Sequence, residues 1–367
     1  MNTKTLGLRE LHHELSRREF LRVAASAGAV LLGACGSDGG KGSATSTPGI
    51  IVDPPPETTT IRLVKTFPTC PIPIHVAGLF LPEEGFTNVQ YIQDTAGDHG
   101  TQQLAAGEMD IGLSITSSLT TAADRGDPLV LLAGIHPTCF ELFGGDRVQS
   151  LRDLKGKRIH VFSTDRHDPI YVFLATLLAH VGIDLEHDVE FVVVPKPVDA
   201  IAQLKAGTID AYLGYPPISA QVRADNIGHV VLTGYEDAPW SQYFCCMATG
   251  NRDFVEKHPA ATKRALRAIL KATDLCAREP ERAARYLVDT GYTKDYGDTI
   301  PQDYESILHT VMHMRYAAWR EFNPEDTVRF FALRLKEAGL VSGTPEALIT
   351  RATNWRYLNE IKRELGV

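Results

Sequence analysis

Apolar residues in this chain fall in short runs separated by turn-forming residues and by stretches of helical spacing. Residues 61–64 read as a first strand, 88–92 alternate like a second, and 129–134, 190–194 and 230–232 supply further apolar runs. Helical stretches lie between them. Apolar positions recur through 74–80, and Asp168 followed by Pro169 sets an N-cap and a first-turn proline ahead of a helix running through Val181. Strands alternating with helices predict an α/β architecture. From Asn251 the spacing turns helical throughout, over 253–279, 280–290, a long segment around 304–322, and 326–338. Such amphipathic spacing predicts a helical layer packed on a lobe, not a third sheet.

One segment occurs twice, one hundred residues apart. Gln103-Leu104-Ala105-Ala106-Gly107-Glu108-Met109-Asp110 returns as Gln203-Leu204-Lys205-Ala206-Gly207-Thr208-Ile209-Asp210, with Gln, Leu, Ala, Gly and Asp in register. Each copy reads as a helix stopped by a glycine in the left-handed C′ conformation, followed by a buried strand. After the strands come turns of small or ring residues, Thr116-Ser117-Ser118 in the first copy and Tyr215-Pro216-Pro217 in the second. Strand C-termini are where open α/β sheets bind ligands. Two such units predict two similar lobes that present their strand ends to a shared cleft.

The beginning of the chain has a different character. Ser16-Arg17-Arg18-Glu19-Phe20-Leu21 precedes an apolar run over 23–32, a signal-peptide layout whose run is shorter than the roughly 20 residues a spanning helix needs. The order resembles the twin-arginine export signal, and Leu32-Gly33-Ala34-Cys35 resembles a bacterial lipobox. The resemblance implies a signal peptide over 1–34, cleavage before Cys35 and lipidation of its sulfur. Residues 35–60, rich in Gly, Ser, Thr and Pro, are expected to form a disordered tether. The formal net charge is −8, and removing the leader, which carries +2, leaves −10. An acidic body without a basic patch excludes nucleic acid as a partner.

Leu151-Arg152-Asp153-Leu154-Lys155-Gly156-Lys157-Arg158-Ile159, the paired A-G-x-x-D units and the helical tail resemble the nitrate/sulfonate/taurine (SsuA-like) solute-binding proteins of ABC importers. The resemblance implies a periplasmic-binding-protein fold of type II: two α/β lobes, a two-strand hinge and a helical C-terminal layer. Residues 61–142 with 243–367 would form lobe 1, and 143–242 lobe 2. The chain would be a monomer, exported and lipid-anchored to a bacterial membrane, facing the periplasm or the cell exterior. Its expected partners are a small-molecule ligand, an ABC permease and its ATPase, and the membrane through the anchor.

The family's pocket loops map here onto Thr66, Phe67 and Thr69, onto Thr116 and Ser117, onto Ser163, Arg166, His167 and Asp168, and onto Tyr215; His99, Trp240 and Tyr243 are further wall candidates. Two ligand chemistries stay open. Hydroxyls and helix N-termini suit a sulfonate or carboxylate, although Asp98 and Asp168 would repel one. Aromatic rings with an acidic partner suit a planar nitrogen heterocycle such as a pyrimidine.

Beyond Cys35 the chain has Cys70, Cys139, Cys245, Cys246 and Cys276, an odd number that leaves one disulfide or buried thiols equally open. Cys70, Cys139, His75, His99, His136 and His167 fall near strand ends, where convergence on a soft metal is conceivable. No C-x-x-C spacing supports that, so no metal, cofactor or catalytic residue is expected. Two alternatives accompany the importer reading. Pyrimidine-forming enzymes of thiamine synthesis share the fold and use His with a Cys-rich loop, which Tyr243-Phe244-Cys245-Cys246-Met247 faintly resembles. A lipoprotein presenting its ligand to a membrane sensor is the other.

Overall fold

The computed structural model describes residues 53–66, 70–293 and 303–367. Phe67, Thr69, the leader, Cys35 and the tether up to residue 52 lie outside the described residues. No described helix is long and apolar enough to cross a membrane.

Two five-stranded sheets organise the chain. The first contains β1 (Thr60–Lys65), β2 (Asn88–Gln93), β3 (Ile111–Ile115) and β4 (Leu129–Pro137), and the second β5 (Glu141–Gly144), β6 (Arg158–Val161), β7 (Glu190–Val193), β8 (Ala211–Gly214) and β9 (His229–Thr233). β10 (Phe244–Asn251) returns to the first sheet. The strand orders are β2-β1-β3-β10-β4 and β7-β6-β8-β5-β9. In each sheet a central strand pairs in parallel with two neighbours, and one antiparallel strand arrives from the other half of the chain.

The repeated segment explains why the sheets match. Helices Thr101–Ala105 and Pro197–Ala206 run out at Gly107 and Gly207, whose φ values of 77° and 69° are left-handed. In both copies the glycine N–H donates to the leucine carbonyl three residues back at 3.1 Å, and the next N–H to the glutamine carbonyl at 3.0 Å. The aspartate that follows clamps the central parallel strand of its own lobe, β1 in the first and β6 in the second. Asp110 accepts the Arg62 N–H at 2.7 Å and its Nε at 3.1 Å; Asp210 accepts the Arg158 N–H at 3.0 Å and its Nε at 3.1 Å. Each arginine then donates to its lobe's C′ glycine carbonyl, at 2.8 Å and 2.7 Å. Burial opposes the charge of Asp210, but bonds from the Arg158 side chain and N–H and from Arg147 outweigh it and hold the carboxyl down at about 2.

Two crossings join the lobes, at 138–140 and 234–243, and Gly234 N–H donates to Phe140 O at 2.9 Å between them. A Cβ on Gly234 would lie 2.3 Å from Thr138 Cγ2 and 2.8 Å from Phe140 O, so only glycine lets the crossings meet. The first crossing ends before Glu141, so β5 begins slightly ahead of the expected lobe boundary at 142.

The C-terminal helices form a layer, with one difference from the expected arrangement. Helix Pro324–Glu337 packs against both Thr116–Arg125 of the first lobe and Pro169–His180 of the second, and Phe331 comes within 6.1 Å of Phe173, centroid to centroid. A second correction concerns the tether. Residues 53–60 are held in place: Asp53 pairs with Lys263 at 2.7 Å and with Arg267, and Glu57 accepts the N–H groups of Ala260 and Ala261 at 2.9 Å each. Its polar composition reads as linker because its partners lie about two hundred residues away on helix Pro259–Arg278.

Two outcomes follow for stability. Asp110→Ala and Asp210→Ala should each cost about 2 kcal/mol in urea unfolding at neutral pH, since each leaves charged donors unpaired. A depressed carboxylate stabilises fully above its ordinary value of 3.8 and ceases to do so as pH falls through its folded value of about 2. The stabilities of wild type and Asp210→Ala should therefore converge as pH drops through that window, and a constant difference would refute the clamp. Gly134→Ala should cost about 1–3 kcal/mol, because the new Cβ would sit 2.2 Å from the Phe244 ring; an unchanged thermal midpoint would show that the ring can move aside.

Candidate ligand-binding site

The parallel strands of both sheets end on one cleft, of about 360 Å³. From the first lobe come Cys70 beyond β1, Ala96, Gly97 and His99 beyond β2, and Ile115 at the end of β3. The second lobe supplies Phe162 beyond β6, Asp168 to Ile170 at a helix start, Pro195 and Pro197 beyond β7, and Tyr215 beyond β8. Phe140 enters from the crossing, its ring edge-on to Tyr215 at 6.4 Å. The cleft thus lies where the strand C-termini of an α/β sheet place it.

Asp168 is the cleft's ionisable anchor. It is the N-cap of helix Pro169–His180, and its Oδ1 accepts the Tyr171 N–H at 2.8 Å. Burial raises its pKa above the ordinary carboxylate value; bonds from Tyr171 and Ile170 oppose this, and Asp165 adds to it. Burial, then Asp168 and Cys70, push the Tyr215 phenol up to about 12, so it is a neutral donor at physiological pH. No lysine or arginine is among the described lining residues. His99 sits at φ 58° in the turn after β2, where Asp94 Oδ2 accepts its N–H at 3.1 Å. Its buried Nδ1, with Asp98 Oδ1 and Ser117 Oγ nearby in sequence to lining residues, has no hydrogen-bond partner among the described residues.

Of the residues expected from sequence, His99, Asp168 and Tyr215 come together at the cleft. Thr66 is buried just beyond β1 and is not among the lining residues. Thr116 and Ser117 form the first turn of a helix, not a loop; Thr116 Oγ1 donates to Phe244 O at 2.8 Å and Cys245 O at 3.0 Å, tying that helix to β10. Ser163 and His167 are engaged by the Asp165 turn: Ser163 Oγ accepts the Asp165 N–H at 3.0 Å, and His167 Nδ1 lies 2.7 Å from Asp165 Oδ1. Arg166 is exposed and reaches toward Gly339 O at 3.5 Å.

Trp240 and Tyr243 are away from the cleft. A short turn at Trp240–Gln242 directs the indole into the core between Phe173, His180 and Phe330, and Tyr243 stacks on Phe330 at 4.1 Å. Both were drawn to the site by sequence position near the return crossing. Phe162 escaped notice because it continues an apolar run, although its place directly beyond β6 was an available signal; Phe140 lies in the crossing between β4 and β5, where no local pattern marks it. His309 and His313, at helical i,i+4 spacing, also escaped notice, and their rings stack at 3.9 Å on helix Tyr304–His313.

Known proteins share this frame. The nitrate/nitrite binding protein NrtA of Synechococcus elongatus is 24% identical over 306 residues, covering 72% of this chain and 67% of its own. Among solved structures, the alkanesulfonate-binding protein SsuA from Xanthomonas axonopodis pv. citri, bound to MOPS, superposes with a TM-score of 0.61 at 17% identity, over 82% of this chain and 99% of that one. The periplasmic nitrate-binding protein NrtA from Synechocystis gives 0.62 at 18%, over 84% and 90%. These are solute-binding proteins of the kind to which the paired A-G-x-x-D units and the L-K-G-K element pointed, and the fold is theirs. Residues 53–288 match the NMT1-like family, more than half of the chain, and the chain belongs to that family.

Proposed function

We propose that this chain is the solute-binding component of an ABC importer, and that its cleft takes a small planar nitrogen heterocycle carrying an amino group or positive charge. The relatives' names support the first half of the reading. The second half rests on one observation: the cleft offers a carboxylate, aromatic and proline faces, and no described lysine or arginine. Phe140, Phe162 and Tyr215 supply flat apolar surface for a ring, and the Asp168 carboxylate accepts from its donors. A nitrate, bicarbonate or sulfonate would instead face a negative charge with no described lysine or arginine in the lining to offset it. Helix Pro169–His180 does not compensate, since its N-terminal N–H is already taken by Asp168.

The mechanism is a population shift. A ligand that touches both lobes only when they are closed stabilises the closed form, which is the form a permease would recognise. No chemistry is required of the cleft. The lipid on Cys35 that the lipobox implies would hold the protein at the membrane, and the intact mass of the exported protein tests that part by showing either a diacylglyceryl-modified Cys35 terminus or none.

Titration calorimetry against nitrate, bicarbonate, MOPS and an aminopyrimidine tests the ligand class. The aminopyrimidine should bind and the anions should not; tighter binding of any of the anions would overturn the reading. Asp168→Asn keeps a good N-cap but removes the charge, so it should fold normally and weaken the aminopyrimidine at least about tenfold. Affinity in the wild type should also fall as pH is lowered through the raised pKa of Asp168, because protonation removes the acceptor charge. Equal affinity in wild type and Asp168→Asn at all pH values would take Asp168 out of the site.

A further inference from the structure

Four cysteines and a histidine meet beneath the cleft. Three distant segments deliver them: Cys70 follows β1, His136 and Cys139 lie at the end of β4 and in the crossing, and Cys245 and Cys246 lie on β10. All five are buried, none more than 3% exposed. Cys70 Sγ is 3.7 Å from Cys246 Sγ, and Cys139 Sγ is 3.8 Å from Cys245 Sγ. The donor atoms of Cys70, His136 and Cys139 all lie within 4.8 Å of one another.

Neighbouring residues on a strand ordinarily point to opposite faces. Here the ladder between β10 and β4 is irregular on both sides of Cys246, which pairs with His136, while Phe244 pairs with Pro137 and Met247 with Gly134. The bulge lets both consecutive thiols reach one cluster. Among the described residues no disulfide is formed.

The spacings are those of a metal shell. Tetrahedral thiolates with metal–sulfur bonds of about 2.3 Å stand about 3.8 Å apart, and both thiol pairs are at that separation. His136 is prepared in the way ligating histidines are: its Nδ1 lies 2.6 Å from Pro137 O, which fixes the N–H there and leaves Nε2 with its lone pair. Nε2 is buried and has no partner among the described residues, an arrangement that is costly unless something occupies the position.

We propose that this cluster is a site for a thiophilic d10 cation, zinc(II) or copper(I), at the floor of the cleft. Cys70, Cys139 and His136 supply three donors and one of the two β10 thiols the fourth. Three thiolates and a neutral imidazole leave a smaller buried charge on a zinc site than four thiolates would, and the remaining thiol can donate its S–H to a bound thiolate. Soft sulfur ligands select these ions over magnesium or calcium. Because Cys70 also lines the cleft, the ion would lie one side chain away from the solute.

The test uses the full-length chain, purified reduced and metal-free, titrated with cobalt(II) as a spectroscopic stand-in for zinc. The expected result is a sulfur-to-cobalt charge-transfer band with tetrahedral ligand-field bands, saturating at one equivalent and abolished by added zinc. Cys139→Ser and His136→Asn should each weaken cobalt binding by more than the roughly 10- to 100-fold that outer-shell partners carry. Cys276→Ser, at a buried thiol outside the group, should not. Circular dichroism checks that the variants fold, and the wild-type spectrum decides the matter if one of them does not. Octahedral cobalt spectra, bands that survive in both folded variants, or thiols lost in pairs as disulfides with no metal signal would each overturn the proposal.

Discussion

The Arg–Asp clamp at the foot of each sheet is the constraint on which the two-lobed frame depends. A parallel strand pair has no hairpin to set its register, so something must fix where the incoming strand stops sliding. In both lobes an aspartate at the end of the repeat takes the backbone N–H and the guanidinium of the arginine in the lobe's central parallel strand, while its own N–H donates to that arginine's carbonyl at 2.8 Å. The exchange locks β3 against β1 and β8 against β6, and the C′ glycine brings the chain round in time to make it. Once the strands start level they also end level, which is why six C-terminal strand ends converge on one cleft.

The crossings and the C-terminal helix set how the lobes can move. Gly234 and Phe140 bond the two crossings directly, giving closure a narrow axis. Helix Pro324–Glu337 touches helices of both lobes, with Phe330 and Phe331 against Trp240 and Phe173. Movement of one lobe against the other therefore has to alter this helix's contact with one of them. That contact explains why Trp240 and Tyr243 are aromatic although neither meets the cleft.

Sequence disclosed those features whose cause is local. The left-handed glycines, the Asp168 N-cap with Pro169 behind it, and the alternation of strand and helix each depend on a few neighbouring residues, and all are present as read. Features caused by distant partners were not legible. Thr116 looked like a pocket hydroxyl because nothing near it in sequence reveals that its bonds go to β10, 128 residues away. Asp53 and Glu57 looked like linker because their cations and N–H groups lie on helix Pro259–Arg278. Cys245 and Cys246 carry no metal-ligand spacing in the sequence, and strand alternation would separate such neighbours; the bulge opposite His136, set by a distant strand, reverses that. At the cleft, Asp168 and Tyr215 were found by position after a strand, whereas Trp240 and Tyr243 were proposed by nearness to the return crossing, which does not distinguish a wall from a core.

The same distinction separates frame from ligand when this chain is compared with its relatives. Resemblance at 17–18% identity transmits the backbone, and the backbone transmits the location of the cleft. What a strand end recognises depends on the few side chains placed there. A helix N-terminus pointing into such a cleft is an anion site by default, since its unpaired N–H groups and dipole favour negative charge. Here the chain supplies the anion itself: Asp168 caps helix Pro169–His180, neutralises its N-terminus and turns an attractive position for an oxyanion into an acceptor surface. On the proposed reading, a carboxylate in the place of an incoming anion would leave the fold intact and invert the electrostatics of the site.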